Sequence, residues 1–221
     1  MAELTISGTY FTATDPNNVQ SVKDALIMID QTGVIQRILQ PSDQEYAAQL
    51  QSARQADRLL ELDSDQYIIP GFIDLHVHAP QWPQAGLALD RPLADWLNHY
   101  TFPLEVKFSD PAYAQRVYHD FVHTLLANGT TAAMMFGTIH FDANMTLAKE
   151  VVSQGLRGFI GQVVMDNPDQ TPDYYRNSSA KAALQSTENF SQAVLKMQSR
   201  TGQTITPTAT SFQNTSPLRV F

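Results

Sequence analysis

The pattern of hydrophobic and polar positions changes near residue 67, and the two parts predict different architectures. Before that point, stretches such as LTISGTYFTAT and ALIMIDQTGVIQRILQ are typical of short strands. The second contains the turn Asp30-Gln31-Thr32-Gly33, in which Gly33 can adopt the positive φ that a hairpin requires. PSDQEYAAQLQSARQADRLLELD then predicts a short helix and a returning strand. Residues 1–67 are therefore expected to form a small N-terminal β-sandwich segment.

After residue 67, apolar runs alternate with stretches of helical periodicity. The predicted strands are YIIPGFIDLHVH, TTAAMMF, LRGFIGQVVM and TITPT. The first helix is expected between Ser109-Asp110-Pro111 and Gly129, the second over residues 142–154 and the third over 187–200, ending before Gly202. Strands alternating with crossover helices predict a parallel sheet covered by helices, either a doubly wound sheet or a (β/α)8 barrel.

The loops after these strands favour the barrel. None of the strands is followed by G-x-G-x-x-G or G-x-x-x-x-G-K-[ST], which removes the main sequence argument for a nucleotide-binding open sheet. A (β/α)8 barrel takes roughly 250 residues, so residues 68–207 would supply about its first half. The predicted fold class is α/β, with the first half of a (β/α)8 barrel after the N-terminal β segment.

Composition excludes several classes of partner. The 221 residues carry a formal charge of −8, with 14 Lys and Arg against 22 Asp and Glu. Binding to a phosphate backbone requires clustered basic residues, so no nucleic-acid partner is expected. No apolar run approaches the roughly 18 residues that span a bilayer, and MAELTISGTYFTATDP lacks the features of a secretory signal. We therefore expect a cytoplasmic protein with no membrane partner.

The lack of cysteine narrows the candidate chemistry to oxygen and imidazole ligands. With no cysteine in the chain, a metal would have to be held by His, Asp or Glu. In PGFIDLHVHAPQ, the alternation of a strand predicts that Asp74, His76 and His78 point to the same side. The histidines stand at the C-terminal end of the strand, where barrels carry their catalytic sites. Two neutral imidazoles there could share one divalent ion, which would lower the pKa of a bound water.

Other interpretations of the histidines remain open from the residues alone. A bare H-x-H also arises by chance, as two satisfied polar side chains at a strand end, and Asp74 fits a supporting carboxylate better than a ligand. His119 and His123, in HDFVH, stand one helical turn apart, as in metalloprotease helices. That signature requires Glu after the first histidine, where this chain has Asp120, and the helix is expected on the outside of the barrel.

The sequence around the H-x-H pair resembles the amidohydrolase superfamily, whose first barrel strand supplies two histidine metal ligands. Within that superfamily, four segments resemble the guanine deaminases, and together they extend over nearly the whole chain up to Pro207. The four segments are HVHAPQ (76–81), DWLNHYTFPLE (95–105), NGTTAAMMFGTIH (128–140) and GQVVMDNPDQTPDYYR (161–176).

This resemblance implies a zinc-dependent enzyme of purine catabolism with a small-molecule substrate, guanine. His76 and His78 would be zinc ligands, and a Glu and an Asp of the family would move protons while zinc-bound hydroxide attacks the amino-bearing carbon. The amide of Gln81 offers a donor and an acceptor, which suits the edge of guanine. The segment that would line the purine pocket consists of His78, Ala79, Pro80 and Gln81.

The C-terminal end of the chain departs from the pattern of the guanine deaminases. The family has T-P-R-F near the fourth strand, whereas this chain has Thr206-Pro207-Thr208-Ala209, and residues 208–221 resemble nothing expected. We interpret the tail as the product of a frameshift or truncation after Pro207. The remaining metal ligands and the catalytic Glu and Asp would then lie beyond this chain.

Three functions follow as hypotheses. The first is guanine deamination, with the 221-residue chain itself inactive, poorly stable and prone to self-association, including homo-oligomers, because a half barrel leaves open strand edges. The second is another amidohydrolase that acts on a cyclic amine or amide. The third is a non-catalytic fragment that binds metal weakly.

Overall fold

The computed structural model describes residues 4–201 and 205–211, and the chain divides between Pro70 and Gly71 into two compact units. The first unit contains strands β1 (Leu4–Asp15), β2 (Asn18–Ile29) and β3 (Ile35–Leu39), helix α1 (Tyr46–Gln55), and the short strands β4 (Leu59–Glu61) and β5 (Tyr67–Ile68). No helix within the described ranges combines the length and hydropathy needed to cross a bilayer.

The first unit is one mixed sheet rather than the predicted sandwich. Strands β3, β2 and β1 pair antiparallel in that order, and β4 and β5 both pair parallel with β1. All five strands therefore belong to one sheet. The described residues of this unit contain no further strand that could form the second sheet of a sandwich. The predicted hairpin is confirmed, since Gly33 has φ 81° and the Asp30 carboxylate accepts the backbone N–H groups of Thr32 and Val34.

The single strand predicted from Tyr67 to His78 is two strands that belong to different units. Tyr67–Ile68 pairs with β1, and β6 begins at Phe72 in the second unit. Pro70 has no N–H to donate to a ladder. A Cβ atom at Gly71 would overlap the side chain of Thr131 on the neighbouring strand, so only glycine fits there. The apolar run from Tyr67 to His78 is therefore continuous in sequence but is divided between the two units.

The second unit is a parallel four-stranded sheet in chain order. Its strands are β6 (Phe72–His78), β7 (Thr130–Phe136), β8 (Arg157–Val164) and β9 (Ile205–Ser211). Between β6 and β7 lie the short helices α2 (Leu93–Trp96) and α3 (Phe102–Glu105) and the longer α4 (Pro111–Ala127), whereas α5 (Phe141–Gln154) and α6 (Ala180–Thr201) cross the next two gaps. Sequential order with one helical crossover per pair is the arrangement of a barrel rather than of a doubly wound sheet.

The core of the second unit lies between the sheet and helices α4, α5 and α6. It includes Leu147 from α5, Ile160 from β8 and Phe190 from α6, all with no exposed surface. Each such side chain contributes about 1.5–3 kcal/mol on burial. The amphipathic spacing of the three helices therefore directs the packing that fixes the sheet.

Most predicted helix boundaries are confirmed. The Asp110 side chain caps α4 by accepting the N–H of Ala112 at 2.9 Å, and α5 ends at Gly155, which has φ 83°. Helix α6 begins at Ala180, earlier than predicted, where Ser179 Oγ accepts the N–H of Ala182. The predicted stop at Gly202 lies outside the described residues.

The fourth strand runs further than the sequence comparison predicted. β9 continues past Pro207, and the backbone of residues 208–211 pairs in register with residues 161–164 of β8. Residues 208–211 were expected to belong to an unrelated tail. A parallel ladder depends on backbone hydrogen bonds, so it can extend through residues whose side chains differ from those of a family.

Candidate functional site at the end of strand β6

The two histidines of the H-x-H pair lie on the same side of the end of β6. Their ring centroids are 5.2 Å apart. Both rings contact Phe136, at centroid distances of 4.7 Å for His76 and 4.6 Å for His78, and the His78 and Phe136 planes differ by only 14°. Phe136 is the register partner of His78 on β7. The aromatic ring therefore restricts the orientations that both imidazoles can adopt.

A bulge interrupts β6 just before the pair. The strand advances from Asp74 to Val77 while its partner β7 advances only from Ala133 to Met135. An extra residue reverses the alternation of side chains beyond it, so the predicted same-side placement of Asp74 does not follow across the bulge. The Oδ1 atom of Asp74 instead accepts the backbone N–H of His76 at 3.0 Å. The carboxylate thereby stabilises the irregular backbone that carries the first histidine.

The environment of His78 favours a neutral imidazole. Burial, followed by the proximity of His76, lowers the pKa of His78 to about 4. At pH 7 the ring of His78 is therefore uncharged, the state in which imidazole binds zinc. A catalytic zinc site normally uses about three protein ligands. Across residues 4–201 and 205–211, no three His, Asp or Glu side chains form a metal-binding group, so the pair fits two ligands of such a site.

The segment that follows the histidines turns sharply and presents Gln81. Residues Ala79–Gln84 form a 3₁₀ turn in which Ala79 and Pro80 are buried. The Nε2 atom of the half-buried Gln81 donates to Oε1 of Glu105 at 2.9 Å. No donor from the part of the chain that the structure describes reaches Oε1 of Gln81. The amide therefore turns its nitrogen towards Glu105 and leaves its oxygen as a free acceptor.

Glu105 is a buried carboxyl group held between two donors. Glu105 is only 3% exposed. Its Oε2 accepts a hydrogen bond from the hydroxyl of the fully buried Tyr175 at 2.5 Å. Burial raises the pKa of Glu105 to about 7, although the donors Tyr175 and Gln81 both act to lower it. The group thus titrates near neutral pH in a place that water does not reach.

An irregular helical segment positions Glu105. Helix α2 passes into a π turn at Leu97–Thr101 and then into α3, where Pro103 lacks the N–H that a regular helix would use. Phe102, 1% exposed, anchors the segment, and its ring lies 5.9 Å from that of Tyr175. The helical segment that carries Glu105 could not be predicted from the sequence, because helical periodicity does not continue through the π turn.

The four segments that resemble guanine deaminases meet at this site. The first supplies the histidines and Gln81, the second Glu105, the third Phe136 and the fourth Tyr175. Sequence reasoning did not single out Glu105 or Tyr175 as site residues. Both residues lie within those segments, which was the only indication of a role in the sequence. A single Glu or Tyr does not indicate which distant residue it contacts.

The alternative histidine pair lies elsewhere. His119 and His123 are exposed on α4, and Nδ1 of His119 is 3.0 Å from Oε2 of Glu150 on α5. Asp120, the residue in place of the metalloprotease Glu, accepts the indole N–H of Trp82 at 2.7 Å. The helix therefore uses His119 and Asp120 to bind neighbouring elements.

Comparison with known proteins relates the chain to the amidohydrolases. The model of the amidohydrolase family matches residues 67–216. A guanine deaminase of Rattus norvegicus is 36% identical over 205 residues, and the match covers 92% of this chain and 44% of that protein. The chain thus spans less than half the length of this relative.

Solved structures give the same relationship. A guanine deaminase from C. acetobutylicum with guanine bound in its active site has a TM-score of 0.80 and 28% identity, covering 94% of this chain and 46% of that one. A mutant atrazine chlorohydrolase from Arthrobacter aurescens, complexed with zinc and atraton, has a TM-score of 0.66 at 15% identity and covers 94% and 46% of the two chains. The latter likeness concerns the fold alone.

Proposed function

Because this chain belongs to the amidohydrolase family, we propose that the protein is a zinc-dependent guanine deaminase that converts guanine to xanthine and ammonia in purine catabolism. The observation that carries the proposal is the convergence of all four guanine deaminase-like segments on the end of β6. The bound guanine of the C. acetobutylicum relative supports a purine substrate.

The histidine pair supplies the metal-binding part of the proposal. His76 and His78 would hold the zinc ion through their ring nitrogens, aided by the contact of both rings with Phe136. Bound zinc would supply hydroxide at neutral pH by lowering the pKa of a coordinated water. The lowered pKa of His78 keeps its nitrogen lone pair available for the ion.

Gln81 supplies the substrate-binding part. Its Oε1 is an acceptor that no described residue uses, and guanine offers N–H groups at a ring nitrogen and at its exocyclic amine. The buried Ala79 and Pro80 precede it in the same turn and would give the pocket an apolar wall. Losing the acceptor would leave a buried N–H of the base unpaired, at about 1–3 kcal/mol.

The test is substrate-dependent release of ammonia by the purified, zinc-loaded protein in which the later barrel strands and their ligands are restored, because the 221-residue chain itself is expected to be inactive. Guanine should be deaminated in preference to adenine, cytosine and aminotriazines. His76→Ala and His78→Ala should lose both zinc and turnover, whereas Gln81→Leu should keep zinc and lose most guanine turnover. Deamination of another amine without any of guanine would contradict the assignment and favour the second candidate, a different amidohydrolase, which the family match by itself supports.

A non-catalytic metal-binding fragment is the third candidate. It is supported by the lack of a third ligand for the histidine pair among the described residues. Zinc bound by the protein with the later strands restored, with no release of ammonia from any of these substrates, would favour it.

A further inference from the structure

We propose that Glu105 is a positioning residue that fixes the orientation of the Gln81 amide, so that the carbonyl oxygen is presented to an N–H group of the purine. This inference rests on the proposed function and deepens it. It assigns part of the substrate specificity to a side chain that does not itself touch the base.

The carboxylate of Glu105 directs the hydrogen bonds around it. Above about pH 7, where Glu105 is ionised, both of its oxygens can only accept. The hydroxyl proton of Tyr175 is donated to Oε2 at 2.5 Å, and Nε2 of Gln81 donates to Oε1 at 2.9 Å. The ionised carboxylate thus determines the roles of both neighbours.

Burial makes this arrangement difficult to replace. Tyr175 has no exposed surface and Glu105 is 3% exposed, so water does not offer alternative partners. While Glu105 is ionised, rotating the Gln81 amide by half a turn would place its carbonyl oxygen against the acceptor Oε1 of Glu105 and leave both atoms without a donor. The site therefore favours a base that carries N–H where it meets Gln81, and disfavours one that carries a bare ring nitrogen there.

The orientation can be measured without any ligand, from the side-chain amide signals of 15N-labelled protein. The Gln81 signal is identified by its loss in Gln81→Leu. In the native protein its Nε2 hydrogens should exchange with solvent at least about tenfold more slowly than those of exposed glutamines, since one is held by a buried acceptor. Fast exchange in the native protein would overturn the proposal, and that result does not depend on any variant folding.

Two variants make the assignment specific to Glu105. Glu105→Gln removes the obligate acceptor and should return the Gln81 amide to fast exchange. Glu150→Gln is the matched control, because it also removes a buried carboxylate, one that accepts from Gln115 and Gln154 in the helix layer, and it should leave the Gln81 signal unchanged. An unchanged Gln81 signal in Glu105→Gln would refute the role of Glu105.

Guanine binding then tests the consequence for specificity. In the protein with the later strands restored, Glu105→Gln and Gln81→Leu should each raise KM for guanine about tenfold while changing kcat less, and KM of the double variant should be no higher than that of Gln81→Leu. Losses that multiply would show that the two residues act independently and would contradict the proposal. If the native protein bound no guanine, the proposed function would fail, and the amide measurement would still decide the orientation of Gln81.

Discussion

At the scale of single residues, the site contains an acid whose protonation is coupled to folding. Burial shifts the pKa of Glu105 from 4.5 to about 7. Between these values the folded state keeps a proton that the unfolded chain releases. The stabilising contribution of this proton is therefore complete below about pH 4.5 and is lost as the pH rises through about 7.

Glu105→Gln should consequently change how stability depends on pH. The variant keeps the shape of the side chain but cannot ionise. From pH 4.5 to 8 the free energy of unfolding of the native protein should fall by roughly 3 kcal/mol relative to the variant, the value expected for a shift of this size. Urea unfolding at a series of pH values measures this difference, and parallel curves for the two proteins would refute it.

Glu150→Gln provides a control of opposite sign. Burial acts to raise the pKa of Glu150, but hydrogen bonds from Gln154, His119 and Gln115 outweigh it, and the net pKa is lowered. A carboxyl group with a lowered pKa contributes stability that is present above its unfolded pKa and is lost as the pH falls. The native protein should therefore lose stability relative to Glu150→Gln on acidification, whereas relative to Glu105→Gln it should gain stability.

At the scale of elements, one buried amide closes the loop between β7 and α5. Asn144 has no exposed surface. Its Oδ1 accepts the N–H of Thr138 and its Nδ2 donates to the carbonyl of Thr138, both at 2.8 Å, and Nδ2 also lies 3.3 Å from Oε1 of Gln162. The loop begins directly after Phe136, so this clamp fixes the strand end that contacts both histidines.

Asn144→Ala should destabilise the protein more than an ordinary loop substitution. It leaves the buried N–H of Thr138 without a partner, at about 1–3 kcal/mol, and removes one of two donors from the Thr138 carbonyl, which still accepts the N–H of Val163. Asn98→Ala is the control, because Asn98 is exposed and donates only to the carbonyl of Ala94, and it should cost under about 1 kcal/mol. Equal losses for the two variants in urea unfolding would show that the clamp contributes nothing special.

Some helices and strands could be predicted from the sequence and others could not. Local signals sufficed for α4 and α5, where Asp110 and Gly155 act as caps as their chemistry predicts. They failed at Ala180, because the first two turns of α6 lack strong helical periodicity. They also failed at β5, where Tyr67 pairs with β1, which is distant in sequence but belongs to the same unit. Pairing partners of this kind are set by tertiary structure.

The candidate site could likewise be predicted only in part from the sequence. The pair His76 and His78 could be placed at one strand end because alternation over two residues is a local property. The bulge between Asp74 and Val77 could not be predicted, since it depends on the register with β7. Glu105 and Tyr175 could not be joined from sequence, because a hydrogen bond between residues 70 positions apart leaves no periodic signal.

At the scale of the whole molecule, β6 is an edge strand with apolar side chains in solvent. Within the described residues it pairs only with β7, and Phe72, Ile73 and Leu75 are 57%, 65% and 69% exposed. An edge with unpaired backbone groups and exposed apolar side chains is a template for association with another chain. The 221-residue polypeptide is therefore expected to self-associate.

Leu75→Lys should reduce that association. A charged side chain on an edge strand disfavours pairing with a second edge. Leu195→Lys is the matched control, since Leu195 is 52% exposed on α6, away from any strand edge. Sedimentation velocity over a range of concentrations measures the effect. A native chain that remains monomeric throughout, or equal behaviour of the two variants, would contradict the role of the β6 edge.

The sequential order of the parallel strands has a consequence for the way the second unit is assembled. β7 and β8 pair through Ala132 and Arg157, which enclose a shorter loop than Gly158 and Ile205 do in the pairing of β8 with β9. Closing a shorter loop costs less chain entropy, and contacts local in sequence form faster. We expect β7, α5 and β8 to form the folding nucleus. Pulsed hydrogen exchange during refolding should protect the amides of β8 that face β7 before those of β9.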